Sequence, residues 1–155
     1  MTARRPEVAV GAVAVVTEHL LLVQRANAPE AGRWTVPGGR VEPGERMVDA
    51  VVREVGEETA MKVRCNRLLG VAERIGPDHH FVILDFLVDL VGDGPGCALP
   101  EPIAGGDATA AVWVALAQAE SVDLVSGLGR FLRRCGVLPD RPSPRQTSRS
   151  ADRAC

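Results

Sequence analysis

Three carboxylates lie on one predicted helix at a spacing that suits metal chemistry. Glu54, Glu57 and Glu58 occupy positions i, i+3 and i+4, which places them on one helix face within about 100° of arc. Like charges at this spacing destabilise a helix by roughly 0.2–0.5 kcal/mol per pair, and carboxylates near its C-terminus oppose the helix dipole. A hard divalent cation would reverse both penalties. The pattern therefore predicts a Mg²⁺ site, with Mn²⁺ as the alternative ion.

The carboxylate helix is predicted to be amphipathic and to follow a glycine-rich turn. Over residues 46–59, four valines have the spacing of a core-facing stripe: Val48, Val51, Val52 and Val55. Pro37-Gly38-Gly39 follows a short apolar stretch, and Pro43-Gly44 precedes the helix. Glycine lets backbone approach a ligand closely, and Pro-Gly favours a turn. Strand, glycine-rich loop and carboxylate helix together predict a phosphate site. It is not a P-loop, because no Gly-Lys-Ser/Thr is present.

Residues 39–61 resemble the Nudix box, Gly-x5-Glu-x7-Arg-Glu-apolar-x-Glu-Glu-x-Gly-apolar. Eight residues fall on its fixed positions: Gly39, Glu45, Arg53, Glu54, Val55, Glu57, Glu58 and Met61. Ala60 stands where the pattern has glycine, so we expect a slightly altered helix exit. The surrounding pattern over residues 6–135 is similar to small bacterial Nudix enzymes. The resemblance implies an α+β fold, a Nudix-type α/β/α sandwich with a mixed sheet.

The resemblance also implies roles for individual residues. Glu54, Glu57 and Glu58 would be metal ligands together with the Gly39 carbonyl, and Arg53 would orient a glutamate through charge-assisted hydrogen bonds. Glu45 has two open interpretations, a favourable charge early in the helix or a structural hydrogen bond.

The general base is predicted to be Glu54 or Glu57, acting through metal-bound water. Asp107 is the alternative acid, since in the family an acidic residue of a later loop can act instead, but its sequence context favours an ordinary loop aspartate. Catalytic candidates are therefore Arg53, Glu54 and Glu57.

Candidate substrate-binding residues are Arg25, Gly38 and Asp85. Asp85 alternates with apolar residues on one strand face, where a carboxylate requires a partner. It could contact a base or ribose edge, or pair with an arginine. Pro77 lies 16 residues after the box, a position similar to that of a proline associated with ADP-ribose pyrophosphatases, and Gly76-Pro77-Asp78 also suits a simple turn.

The predicted function is Mg²⁺-dependent hydrolysis of a nucleoside diphosphate linked to another moiety, with ADP-ribose-like substrates first. One alternative is pyrophosphohydrolysis of (deoxy)nucleoside triphosphates. Another is a non-catalytic nucleotide-sensing domain, which the intact carboxylates disfavour.

Composition limits the partners of the protein. The chain has 155 residues, 46% of them hydrophobic and 25% charged, with a net charge of −2. This charge leaves no electrostatic footprint for nucleic acid, and no apolar run approaches the roughly 20 residues of a membrane span. The expected partner is the small-molecule nucleotide substrate that the resemblance implies. The four cysteines show no CxxC pairing, so reduced thiols and a cytoplasmic location are expected: Cys65, Cys97, Cys135 and Cys155. A homodimer is possible.

Hydrophobic periodicity predicts one domain over residues 1–138 and a disordered tail over residues 139–155. Residues 8–16 could belong to a short signal peptide or form a buried strand, and the hairpin partner at residues 20–24 favours the strand. Further strands are predicted around Thr35 and over residues 62–72, 80–90 and 111–116. Residues 117–123 and 126–135 are predicted to be helical, and residues 92–106 to form a long loop.

Overall fold

The computed structural model describes residues 5–92 and 98–140. It contains seven strands and two α-helices in these ranges. The strands are β1 (Glu7–Val16), β2 (His19–Arg25), β3 (Trp34–Thr35), β4 (Gly38–Arg40), β5 (Val63–Gly76), β6 (His79–Leu90) and β7 (Ala108–Ala115). The helices are α1 (Met47–Thr59) and α2 (Leu128–Arg134), with a 3-10 helix at Leu116–Ser121. None of the helices in these ranges is long and apolar enough to cross a lipid bilayer.

The sheet is mixed, with the order β3-β2-β1-β6-β5. β1 and β6 are parallel, and the other pairings are antiparallel. β1 pairs with β2 only near the hairpin turn, where Val15 lies opposite Leu20. Farther back, residues 9–11 of β1 pair with β4 instead, and β7 pairs with β2. The same edge of β1 is therefore paired with β2 near the hairpin turn and with β4 farther back.

Two cores lie on opposite faces of the sheet, as the period-2 alternation of a strand requires. Val10, Ala12 and Ala14 of β1 belong to one core, which also contains the buried face of α1. Val13 belongs to the other, which contains α2 and part of the 3-10 helix. The arrangement is an α/β/α sandwich with a mixed sheet, which confirms the predicted fold class.

Several local expectations change in the structure. Part of the expected loop at Gly38 is strand β4, because its backbone approaches β1 so closely that a Cβ on Gly38 would lie 2.2 Å from the Val10 carbonyl oxygen. The prediction that Val52 faces the core is wrong. Val52 is 41% exposed, because it lies beside the buried stripe of α1. Residues 8–16 form a strand, as favoured. The predicted tail lies outside the described residues from position 141 onwards.

Candidate active site

The C-terminal half of α1 presents its glutamates to the backbone of β4. Gly38 N–H donates a hydrogen bond to Glu58 Oε2 at 2.9 Å. An ideal Cβ on Gly39 would lie 2.3 Å from Glu54 Oε1, so only glycine leaves room for that carboxylate. Glu57, on the same helix, is 54% exposed. The sequence-predicted set therefore meets on one side of α1, with Glu54 and Glu58 against the glycines and Glu57 towards solvent.

Arg53 lies at the centre of this group of acids. Its guanidinium holds Glu45 through two hydrogen bonds of 2.8 and 3.0 Å, so the structural interpretation of Glu45 is correct. Nη1 of the same group donates to Glu54 Oε1 at 2.8 Å and to Glu57 Oε2 at 3.4 Å. Nη2 also donates to the Arg40 carbonyl at 3.1 Å, which ties α1 to β4. This geometry suits the expected positioning of Glu54 by Arg53.

The electrostatics of the glutamates differ with their surroundings. Hydrogen bonds from Arg53 and from the Glu42 backbone lower the pKa of Glu45 to about 2. Burial raises the pKa of Glu58 to about 7, and the charges of Glu54 and Asp107 act in the same direction. Burial likewise raises the pKa of Glu54, although Arg53 opposes the shift. Burial thus disfavours the ionised form of both carboxyls, and among the described residues only Glu54 has a direct ion pair, with Arg53, that offsets part of this effect.

Asp107 is closer to these glutamates than its sequence context suggested. The segment before β7 packs on the C-terminus of α1, where Ile103 N–H donates to the Thr59 carbonyl at 2.9 Å. Gly105 N–H likewise donates to the Glu58 carbonyl at 3.3 Å. The two bonds satisfy helix carbonyls that have no partner inside the helix. They also bring the Asp107 charge near enough to raise the pKa values of Glu54 and Glu58. Gly105 permits the packing, since a Cβ there would lie 2.6 Å from the Glu57 carbonyl oxygen.

The helix exit at Ala60 follows the glycine geometry despite the substitution. Ala60 adopts a left-handed conformation, with φ 59° and ψ 14°, and its N–H donates to the Gly56 carbonyl. The expected alteration of the exit is therefore not seen, because the Cβ is accommodated at a cost of about 1 kcal/mol.

A cleft of about 1500 Å³ runs from these glutamates to α2. It contains all three candidate substrate-binding residues, Arg25, Gly38 and Asp85. Arg25 Nε donates to the Pro29 carbonyl at 2.9 Å, and its charge lowers the pKa of Glu58 against the effect of burial. Arg74, which the sequence did not single out, also lines the cleft and pairs with Glu30. Arg74 reaches the cleft because the β5–β6 register places it opposite Phe81, which also lines the cleft.

The donor chemistry of the site fits a hard divalent cation. Carboxylate and carbonyl oxygens at Glu54, Glu57, Glu58 and Gly39 are the ligand types that Mg²⁺ prefers. Within residues 5–92 and 98–140, no three His, Cys, Asp or Glu side chains converge tightly enough to enclose an ion. A Mg²⁺ site does not require such a cage, because Mg²⁺ uses one or two carboxylates and completes its octahedron with water and substrate phosphate.

Comparison with known proteins gives a consistent set of similarities. The family model described as "NUDIX domain" matches residues 5–135. An ADP-ribose pyrophosphatase of Methanocaldococcus jannaschii is 38% identical over 89 residues, covering 56% of this chain and 53% of that protein. A putative 8-oxo-dGTP diphosphatase 2 of Mycobacterium tuberculosis is 34% identical over 111 residues, covering 68% and 71% respectively. The chain thus spans about half or less of the length of the first curated relatives it matches.

A solved structure extends the similarity to three dimensions. The MutT NUDIX hydrolase from Burkholderia pseudomallei superposes with a TM-score of 0.67 at 30% sequence identity. The match covers 84% of this chain and 98% of that one.

Proposed function

The chain belongs to the Nudix hydrolase family, whose members act on diphosphate bonds, and we propose that it hydrolyses a nucleoside diphosphate linked to another moiety. ADP-ribose-like compounds are the first candidates. The archaeal relative bears the name ADP-ribose pyrophosphatase, and Pro77 lies at the spacing associated with that activity, in the turn between β5 and β6.

The observation that carries this proposal is the approach of the buried Glu58 carboxyl and the half-buried Glu54 carboxyl to a glycine backbone. Glu54 and Glu58 lie against Gly38 and Gly39, at one end of a cleft that also holds Arg25. Removing carboxyls from water costs stability, and the Arg53 and Gly38 hydrogen bonds leave acceptor sites on both groups unused. Such a pair is useful where a divalent cation neutralises the negative charge of both the carboxylates and a bound phosphate chain.

Glu54, Glu57, Glu58 and the Gly39 carbonyl would hold Mg²⁺ or, alternatively, Mn²⁺. The bound ion would neutralise diphosphate charge and lower the pKa of a coordinated water. Arg53 would fix the Glu54 carboxylate, while Arg25 would bind a phosphate oxygen across the cleft. Glu54 or Glu57 would accept the proton of the attacking water. Glu57 is the more accessible of the two.

Hydrolysis of nucleoside triphosphates is the second candidate function. The mycobacterial relative, named a putative 8-oxo-dGTP diphosphatase, covers more of this chain than the archaeal one. The two activities use the same carboxylates and differ in their products. ADP-ribose would yield AMP and ribose 5-phosphate, whereas a triphosphate would release pyrophosphate.

A substrate panel with Mg²⁺ tests the proposal. We expect turnover of ADP-ribose to AMP and ribose 5-phosphate, with weak activity in Ca²⁺, whose larger and more flexible shell does not hold octahedral geometry. Hydrolysis in heavy-oxygen water should label one phosphate product and so identify the phosphorus attacked. Pyrophosphate release with ADP-ribose untouched would favour the second function. Nucleotide binding without any turnover would indicate a sensor, and label in neither product would exclude attack at phosphorus.

A further inference from the structure

Asp85 is a buried carboxyl with no partner in the part of the chain that the structure describes. It lies on β6, is only 5% exposed, and borders the cleft. It has no hydrogen bond or ion pair with any described residue, so of the two alternatives left open by the sequence, the pairing with an arginine is not formed there. Burial alone raises the pKa of Asp85 to about 6, with no contribution from a neighbouring charge. A buried polar group of this kind costs stability unless something hydrogen-bonds to it.

Small residues clear a slot around Asp85. In the sheet register, Gly11 of β1 and Gly70 of β5 lie on either side of Asp85. Next along β6, Ile83 lies between Ala9 and Ala72. Paired residues project to the same face of a sheet, so the side chains that flank β6 on this face are absent or short on both sides.

The two glycines beside Asp85 are needed for different reasons. A Cβ on Gly11 would lie 1.9 Å from Asp85 Oδ1, so the carboxyl sits directly over bare backbone. A Cβ on Gly70 would lie 3.0 Å from the Phe131 ring of α2, which therefore walls the slot at its inner end. The result is a slot with the Asp85 carboxyl at its base and apolar residues beside it, and Arg74 follows two residues beyond Ala72 on the same face.

The slot is continuous with the proposed diphosphate site. Asp85 pairs with Gly11, and Gly11 pairs with Gly38, whose N–H donates to Glu58. Two strand spacings thus separate Asp85 from Gly38, or roughly 10 Å. A nucleotide with its phosphates near Gly38 can place the far edge of its base at Asp85.

We propose that Asp85 recognises the amino-bearing edge of an adenine base held in this slot. The inference rests on the proposed function and specifies the nucleoside that the site accepts. When protonated, the carboxyl offers one acceptor and one donor. Burial favours this form, and a bound base that accepts the proton in a hydrogen bond favours it further. The carbonyl oxygen of the carboxyl accepts from the adenine 6-amino group, and its hydroxyl donates to N1. The ring face contacts Ala9, Ile83 and Ala72. The base supplies the hydrogen-bond partners that Asp85 lacks among the described residues.

Binding of two reaction products provides the test, because AMP carries the base and ribose 5-phosphate does not. In calorimetric titrations of the full chain with Mg²⁺, Asp85→Leu should weaken AMP binding by about 10- to 100-fold and leave ribose 5-phosphate unchanged. Asp85→Asn should keep AMP binding within a few-fold, because the amide presents the same acceptor and donor. Asp89→Leu is the matched control, since Asp89 lies on the same strand but outside the cleft and contacts Arg64.

Three outcomes would overturn the inference. Asp85→Leu could bind AMP as the wild type does, or Asp85→Asn could lose AMP as completely as Asp85→Leu. The wild type could also bind GMP more tightly than AMP, and Asp85→Asn could abolish that preference. This result would show that an ionised Asp85 carboxylate binds a guanine edge instead. Thermal unfolding checks that both variants fold, and loss of the unpaired carboxyl should not lower Tm.

The same experiment separates this inference from the proposed function. If AMP binding depends on Asp85 while no diphosphate is turned over, the adenine assignment stands and the hydrolase proposal fails. If ADP-ribose is hydrolysed while AMP affinity does not depend on Asp85, the hydrolase proposal stands and the adenine assignment fails.

Discussion

Replacing Glu58 by glutamine should change the pH dependence of stability in the metal-free protein. Burial raises the pKa of Glu58 from 4.5 to about 7 in the folded chain. The folded state therefore retains a proton that the unfolded state has released, and wild-type stability falls as the pH rises from 4.5 to 7. Glutamine resembles the neutral carboxyl and can still accept the Gly38 N–H bond. The variant avoids this loss of stability.

The shift sets the size of the expected effect. A rise of about 2.5 pKa units corresponds to roughly 3–4 kcal/mol, at about 1.4 kcal/mol per unit. At pH 8, Glu58→Gln should exceed the wild type in unfolding free energy by about 3 kcal/mol, and at pH 5.5 by only about 1 kcal/mol. Because the Glu54 and Asp107 charges contribute to the shift, their ionisation enters the same measurement.

Urea unfolding in the presence of a chelator, at a series of pH values, measures this difference. Glu57→Gln is the control, since Glu57 is on the same helix face but mostly exposed, and its unfolding curve should follow that of the wild type. Adding Mg²⁺ at pH 8 should then stabilise the wild type more than Glu58→Gln, if Glu58 is a ligand. Parallel stability curves for wild type and Glu58→Gln across this pH range would refute the reasoning.

Three further predictions concern single features. Glu57→Gln should lower hydrolysis by about 100-fold or more without changing the fold, and near-wild-type turnover with unchanged metal affinity would contradict the assignment. Ala60→Gly should raise the unfolding free energy by about 0.5–1 kcal/mol, because glycine relieves the left-handed strain; denaturant titration would detect the change, and a loss of stability would count against it. Deleting residues 139–155 should shift Tm by less than about 2 °C, and a large fall in a thermal scan would show that this segment docks on the domain.

Local patterns in the sequence were sufficient for the elements around the metal-binding helix. The valine stripe and the i, i+3, i+4 glutamates predicted α1 to within one residue of its observed bounds. Helical and strand periodicities are local properties, so they predicted the individual elements. The sandwich followed from their order together with the resemblance to the Nudix family. Boundaries were weaker: β5 continues to Gly76, beyond the predicted residue 72, since its pairing with β6 stabilises a longer hairpin.

Tertiary structure decided which distant residues join the glutamates. The sequence context of Asp107 favoured an ordinary loop aspartate. Its charge lies near Glu58 only because its segment packs on the C-terminal end of α1. Arg74 carried no sequence signal, because its position depends on the β5–β6 register.

Asp85 shows the same division most clearly. Alternation on β6 predicted a carboxylate on an apolar face, and left open an arginine partner or a ligand. The parallel pairing of β1 with β6 placed Asp85 over Gly11, with no cation in reach among the described residues. Local periodicity sets which way a side chain points, whereas long-range strand register sets what it meets.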